Sequence, residues 1–314
     1  MFLFSCEKKD KAITLPPKGD GTVMQVDMGE DYKFQYFINL DEERIVHISD
    51  NSTWDLAFSC KSNEHSIFLN ASKYGAAISI NKKNFSDVNA QDTMGLASRW
   101  KIDRPSGMID SSAIGNWKGN DNIYLIRLDK EGKKIRKLKI VYEDMFQYII
   151  HVGDLFSTSG TDITILKKAN NNYAYFSFDF LNTVDDIEPA DNTSWDVQAT
   201  LYSLYFYDQN PALPYLVNGF LLNPNNTFAA KDSTLSFNDI NEQQIPNFVL
   251  TQHNDAIGYD WKKYDIDKNV YTVDNRYNFL IKTQHDAYIK LRFLDFYSAS
   301  GIKGSPKFEI KRIK

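Results

Sequence analysis

Asp50-Asn51-Ser52-Thr53-Trp54-Asp55 returns as Asp191-Asn192-Thr193-Ser194-Trp195-Asp196, an offset of 141 residues in a chain of 314. The same offset lays Tyr32-Lys33-Phe34-Gln35-Tyr36-Phe37 over Tyr173-Ala174-Tyr175-Phe176-Ser177-Phe178 without a gap, so a strand-like segment, a loop and the start of a second strand agree together. With small insertions, Asn116-Trp117 answers Asp260-Trp261, and Gly160 with 163–167 answers Gly304 with 308–311. A period this long means duplicated modules, because solenoid and propeller units run about 20 to 50 residues.

The residues around the repeat favour strands. Aromatics make up 14% of the chain, with 21 Phe and 18 Tyr, and such side chains suit half-buried pleated surfaces. Alternating or apolar runs at 32–40, 54–59, 66–70 and 76–80 read as successive antiparallel strands. Runs at 123–128 and 134–142 flank Asp129-Lys130-Glu131-Gly132-Lys133, and runs at 277–283 and 287–296 flank Gln284-His285-Asp286, giving one hairpin in each copy. One short helix is expected near 91–98. The expected architecture is all-β, with two related antiparallel, sandwich-like modules at 22–168 and 172–314, preceded by a tether at 1–21. The basic series Lys133, Lys134, Arg136, Lys137 and Lys139 is expected on an exposed strand face. Residues 208–256, rich in Pro and Asn, are expected to be irregular and to border any ligand.

Within each Trp-Asp pair the two side chains face opposite sides of a strand, so Trp can enter the core while Asp bonds loop amides. The pairs therefore read as scaffold. A net charge of −5 and a pI near 5.6 build no basic face, which argues against nucleic acid as a partner. No phosphate loop, nucleophile elbow or compact zinc motif is present, and the chain reads as non-enzymatic. Cys6, after Leu3-Phe4-Ser5 and before a polar stretch with Pro16, Pro17, Gly19 and Gly21, is similar to a bacterial lipobox followed by a spacer. Lipidation at Cys6 would anchor the protein to a membrane.

Further likeness lies toward the C-terminus: Trp195-Asp196-Val197, Trp261-Lys262-Lys263-Tyr264, 277–283, 288–293 and Phe296-Tyr297-Ser298-Ala299-Ser300-Gly301 before Phe308. In order, these segments resemble the HmuY-like haem-binding lipoproteins of Bacteroidetes over residues 172–314, and more faintly over the first copy through Tyr36-Phe37 and 54–58. The resemblance implies an all-β protein, lipid-anchored at the outer membrane and facing the cell surface. It also implies haem as the ligand and an outer-membrane transporter as the partner. Founding members hold iron with two axial side chains, commonly His, between the Trp-Asp strand and the final hairpin. Here that region offers His253 and no Met, with Tyr215 and Tyr202 as alternative oxygen ligands. Two other readings stay open, a surface adhesion or glycan-binding protein and an envelope hydrolase.

Overall fold

A computed structural model of the protein describes residues 20–95, 99–206 and 213–314. Cys6 and most of the expected tether lie outside the described residues. Three short strands come first: Thr22–Gln25 (β1), Phe34–Asn39 (β2) and Arg44–Asp50 (β3). The middle of the chain supplies Leu56–Ser59 (β4), Ile67–Leu69 (β5), Ala76–Ile80 (β6), Ile123–Arg127 (β7), Ile135–Glu143 (β8), Gln147–Asp154 (β9), Thr161–Leu166 (β10), Tyr173–Ser177 (β11) and Asn182–Val184 (β12). The remainder supplies Val197–Phe206 (β13), Leu213–Leu222 (β14), Phe228–Asp232 (β15), Lys262–Asp265 (β16), Val270–Val273 (β17), Asn278–Lys282 (β18), Tyr288–Tyr297 (β19) and Lys303–Arg312 (β20). The fold is all-β and antiparallel, as the sequence led one to expect, and both hairpins, β7–β8 and β18–β19, form where they were placed.

The strands build two sandwiches. In the first, the sheet β12-β11-β4-β5 faces the sheet β10-β9-β8-β7-β6; in the second, β14-β13-β2-β3 faces β1-β20-β19-β18-β15, with β16–β17 as a separate ribbon. Leu56, Phe58, Ile126, Tyr148 and Phe176 fill the first core. Ile38, Val197, Phe220, Phe279 and Phe308 fill the second.

These bodies do not follow the expected modules at 22–168 and 172–314. The first body is one uninterrupted run, β4 to β12, so a boundary at 169–171 falls inside it. The second is assembled from both ends of the chain. The physical cause is reciprocal strand pairing. β11 joins β4, with Phe176 opposite Leu56, while β2 joins β13, with Ile38 opposite Val197. Each copy lends its opening strands to the sandwich of the other.

The repeated aspartates mark the junctions. Asp55 donates its amide to the Phe176 carbonyl at 2.8 Å and accepts from the Phe178 amide at 2.7 Å; Asp196 does the same with Ile38 and Leu40, both at 2.8 Å. Ile38 thus corresponds to Phe176 and Leu40 to Phe178, so the ungapped alignment of the first strands is three residues out of register, the missing residues falling in the connection that follows. The match of Gly160 with Gly304 is also corrected, because β10 occupies the sheet-edge place of β1 and β9 that of β20. The tetrad itself is scaffold. Asp50 and Asp191 each accept from the amide and hydroxyl two residues on, and Asn70 and Asn223 each donate to the carbonyls of the repeated Asn and Trp.

Three local expectations change. The helix expected near 91–98 appears as a 3-10 turn at Ala90–Thr93, with 96–98 outside the described residues. The stretch 208–256 contains β14 and β15 and is less irregular than its prolines suggested. Lys137 is fully buried instead of exposed, because the segment carrying Phe85 folds over the outer face of its sheet. Its ammonium donates to the carbonyls of Phe85 at 2.9 Å and Val88 at 3.3 Å and lies 4.7 Å from the Phe85 ring centre. Lys290, on the equivalent strand β19, is capped in the same way by Phe237 and Ile240.

Candidate functional site

At one end of the second body, the start of β14, the β16–β17 ribbon, the β19–β20 turn and the segment around Tyr32 enclose a slot of about 770 Å³. This falls in the range of small-molecule sites, roughly 300 to 1,000 Å³. Tyrosines dominate its walls. Tyr264 and Tyr271 are cross-strand partners on the ribbon, ring centres 4.9 Å apart. Tyr32 enters from a left-handed turn at φ 58°. Register shifts along β19–β20 break the simple alternation near Asp295, so Phe296 enters the core while its neighbour Tyr297 lines the slot.

The phenols form a connected group. The Tyr297 hydroxyl accepts from the Tyr271 amide at 2.7 Å, and the Tyr32 hydroxyl interacts electrostatically with those of Tyr271 and Tyr297. Burial pushes the Tyr32 hydroxyl well above the usual phenol range and raises that of Tyr271 too. Tyr215 completes the wall opposite, with its ring 5.1 Å from that of Phe206 and 54% of its surface exposed.

Lys262 borders the slot where it meets the core. Only 8% exposed, its ammonium donates to the Asn218 carbonyl at 2.5 Å and more weakly toward that of Tyr259 at 3.4 Å. It lies over the rings of Trp261 and Phe296, at 4.1 and 4.7 Å. Burial drives its pKa down to about 7, opposed only in part by Asp260, whose carboxylate already pairs with Lys231 at 2.6 Å.

The three residues singled out from sequence are not brought together. Tyr215 lines the slot. Tyr202 is 2% exposed and lines a narrower cleft of about 150 Å³ between the two bodies, together with Trp54, Trp195 and Glu188. Gly219 permits this placement, since a Cβ there would stand 2.9 Å from the Tyr202 hydroxyl and 2.5 Å from the Gly258 carbonyl. His253 is exposed in the loop after Thr251 and lines neither cavity. Sequence reasoning missed Tyr32, Tyr264, Tyr271, Tyr297 and Lys262 as site residues. Four of the five sat inside quoted motifs, but nothing local showed that these motifs converge. Among the described residues no group of three or more His, Cys, Asp or Glu side chains could hold a metal ion.

No curated protein matches the sequence. Among solved structures, the chain is similar to Apo PinO from Porphyromonas gingivitis at 12% identity, covering 95% of this chain and 99% of that one, with a TM-score of 0.31. A candidate HmuY-like heme-binding protein from Bacteroides vulgatus matches at 13% identity, covering 92% and 89%, with a TM-score of 0.25. A candidate lipoprotein from Bacteroides fragilis matches at 12%, covering 92% and 88%, with a TM-score of 0.21. The model of the HmuY protein family matches residues 31–310, through both sandwiches, and the chain belongs to that family.

Proposed function

We propose that the protein is a non-enzymatic binding protein of the cell envelope, tethered through Cys6 at the outer membrane, that takes a porphyrin such as haem into the tyrosine slot. One observation carries the reading: a cavity of about 770 Å³ walled by Tyr32, Tyr215, Tyr259, Tyr264, Tyr271 and Tyr297. Aromatic faces suit a flat macrocycle, because offset and edge contacts add to plain apolar burial.

Among the described residues the slot lining contains no His or Met, the usual iron ligands, but phenol oxygen is a known haem ligand. Tyr215, exposed on the wall, is the oxygen this chain offers. A transporter handing over or receiving the ligand would be the natural partner of a surface-tethered carrier. Titration of the protein with haemin tests the reading. A saturable one-to-one shift of the Soret band supports it. An unchanged spectrum sinks it and returns the slot's tyrosines to the glycan-binding alternative, which an array of glycans would then examine.

A further inference from the structure

Lys137, Lys262 and Lys290 are the lysines buried among the described residues. Lys137 and Lys290 are sealed beneath covering loops, each held by backbone carbonyls and a phenylalanine ring. Their role is to pin those loops. Lys262 differs in one respect: it lines the slot of about 770 Å³.

A buried ammonium without a carboxylate partner is costly, because carbonyl dipoles and ring faces replace only part of its hydration. Of the acids near it, Asp260 is committed to Lys231. The ammonium has three N–H donors. The Asn218 carbonyl takes one at close range and the Tyr259 carbonyl is a distant second partner, which leaves donor capacity on a residue that lines the slot. Around it stand aromatic faces, and the lining carries a second positive charge, Lys303, and one negative charge, Glu30.

We infer that Lys262 receives the anionic group of an aromatic ligand, a carboxylate entering the slot head first while the ring system stacks among the tyrosines. This rests on the slot being the ligand site, and it fixes the ligand's class and orientation: an aromatic acid with its charge turned inward. The anion supplies the missing counter-charge, and the low-dielectric wall strengthens the pair.

Binding is measured by fluorescence quenching with two pairs of probes, 2-naphthoate against 2-naphthamide and protoporphyrin IX against its dimethyl ester. The full chain is compared with Lys262→Met, which keeps the stem and removes the charge. The wild type is expected to bind each acid about ten-fold or more tightly than its neutral partner, and Lys262→Met to abolish that preference. Equal binding of acid and neutral probe by the wild type overturns the inference, as does failure of every acid to bind. So does a Lys262→Met variant that keeps the preference. Protoporphyrin failing while naphthoate succeeds would count against the porphyrin reading alone. Since the wild-type comparison stands without the variant, a misfolded Lys262→Met protein leaves the test decisive.

Discussion

The Asp196 carboxylate accepts the amide of Leu40 at 2.8 Å, across 156 residues of sequence. Its counterpart Asp55 holds the amide of Phe178, so two buried carboxylates fasten each opening strand to the sandwich of the opposite copy. Removing one leaves a buried N–H without its acceptor, which costs about 1–3 kcal/mol. Asp55→Ala and Asp196→Ala should each lower the urea midpoint by that order. The two sites belong to different bodies, so the double variant should lose close to the sum. A single-variant loss within error of zero would show that the carboxylates do not secure the junction.

The strand exchange predicts which fragments fold. Residues 51–190 contain every strand of the first body, β4 to β12, and most of its core. Residues 22–168, one sequence copy, lack β11 and β12 and carry β1 and the β2–β3 pair without their partners β20 and β13. The first fragment should give a cooperative thermal transition and the second should not. Circular dichroism melts check both, and the reverse outcome would restore the boundary at 169–171.

From about pH 5 to 7, above the range in which the carboxylates with lowered pKa values such as Asp274 gain their stabilising charge, the buried acids should make stability fall. Burial lifts the Glu188 carboxyl from 4.5 to about 7 and those of Asp103 and Asp196 from 3.8 to about 6. An acid with a folded pKa above its unfolded value stays protonated longer in the native state. Between the two values the unfolded chain releases its proton first, and stability drops with increasing pH. The melting temperature is expected to be higher near pH 5 than near pH 7.5, and Glu188→Gln should flatten the slope. An identical slope in the variant would remove Glu188 as its source.

Lys137 and Lys290 pin loops, which limited proteolysis can read. Lys137→Ala frees the carbonyls of Phe85 and Val88 and should open the chain around 82–93; Lys290→Ala should do so around 236–240. Cleavage several-fold faster at those sites, with the rest of the chain protected, is the expected pattern. Uniform cleavage throughout would indicate global unfolding instead.

These features were unequally legible in the sequence. The β7–β8 hairpin could be read because its turn is local: Asp129 accepts from the amides of Lys133 and Lys134, and Gly132 takes a positive φ. β3 escaped notice because Arg44–Asp50 is half-exposed on both faces and shows no clean alternation. Lys137 looked solvated because its cover, Phe85, lies 52 residues away. The Trp-Asp repeat was legible, yet no spacing could show that Ile38, paired with Ile45 of its own copy, also pairs with Val197 of the other. The slot was hidden for the same reason, since Tyr32, Tyr215, Tyr271 and Tyr297 come from four separate segments. His253 drew attention by residue type alone, and its loop faces solvent.

Whether the tyrosine slot, rather than the His253 loop, is the ligand site is tested most directly by haemin titrations of the wild type, Tyr215→Ala and His253→Ala in parallel. The predicted result is a Soret shift that weakens about ten-fold or more in Tyr215→Ala and is unchanged in His253→Ala. A shift abolished by His253→Ala and untouched by Tyr215→Ala would contradict it.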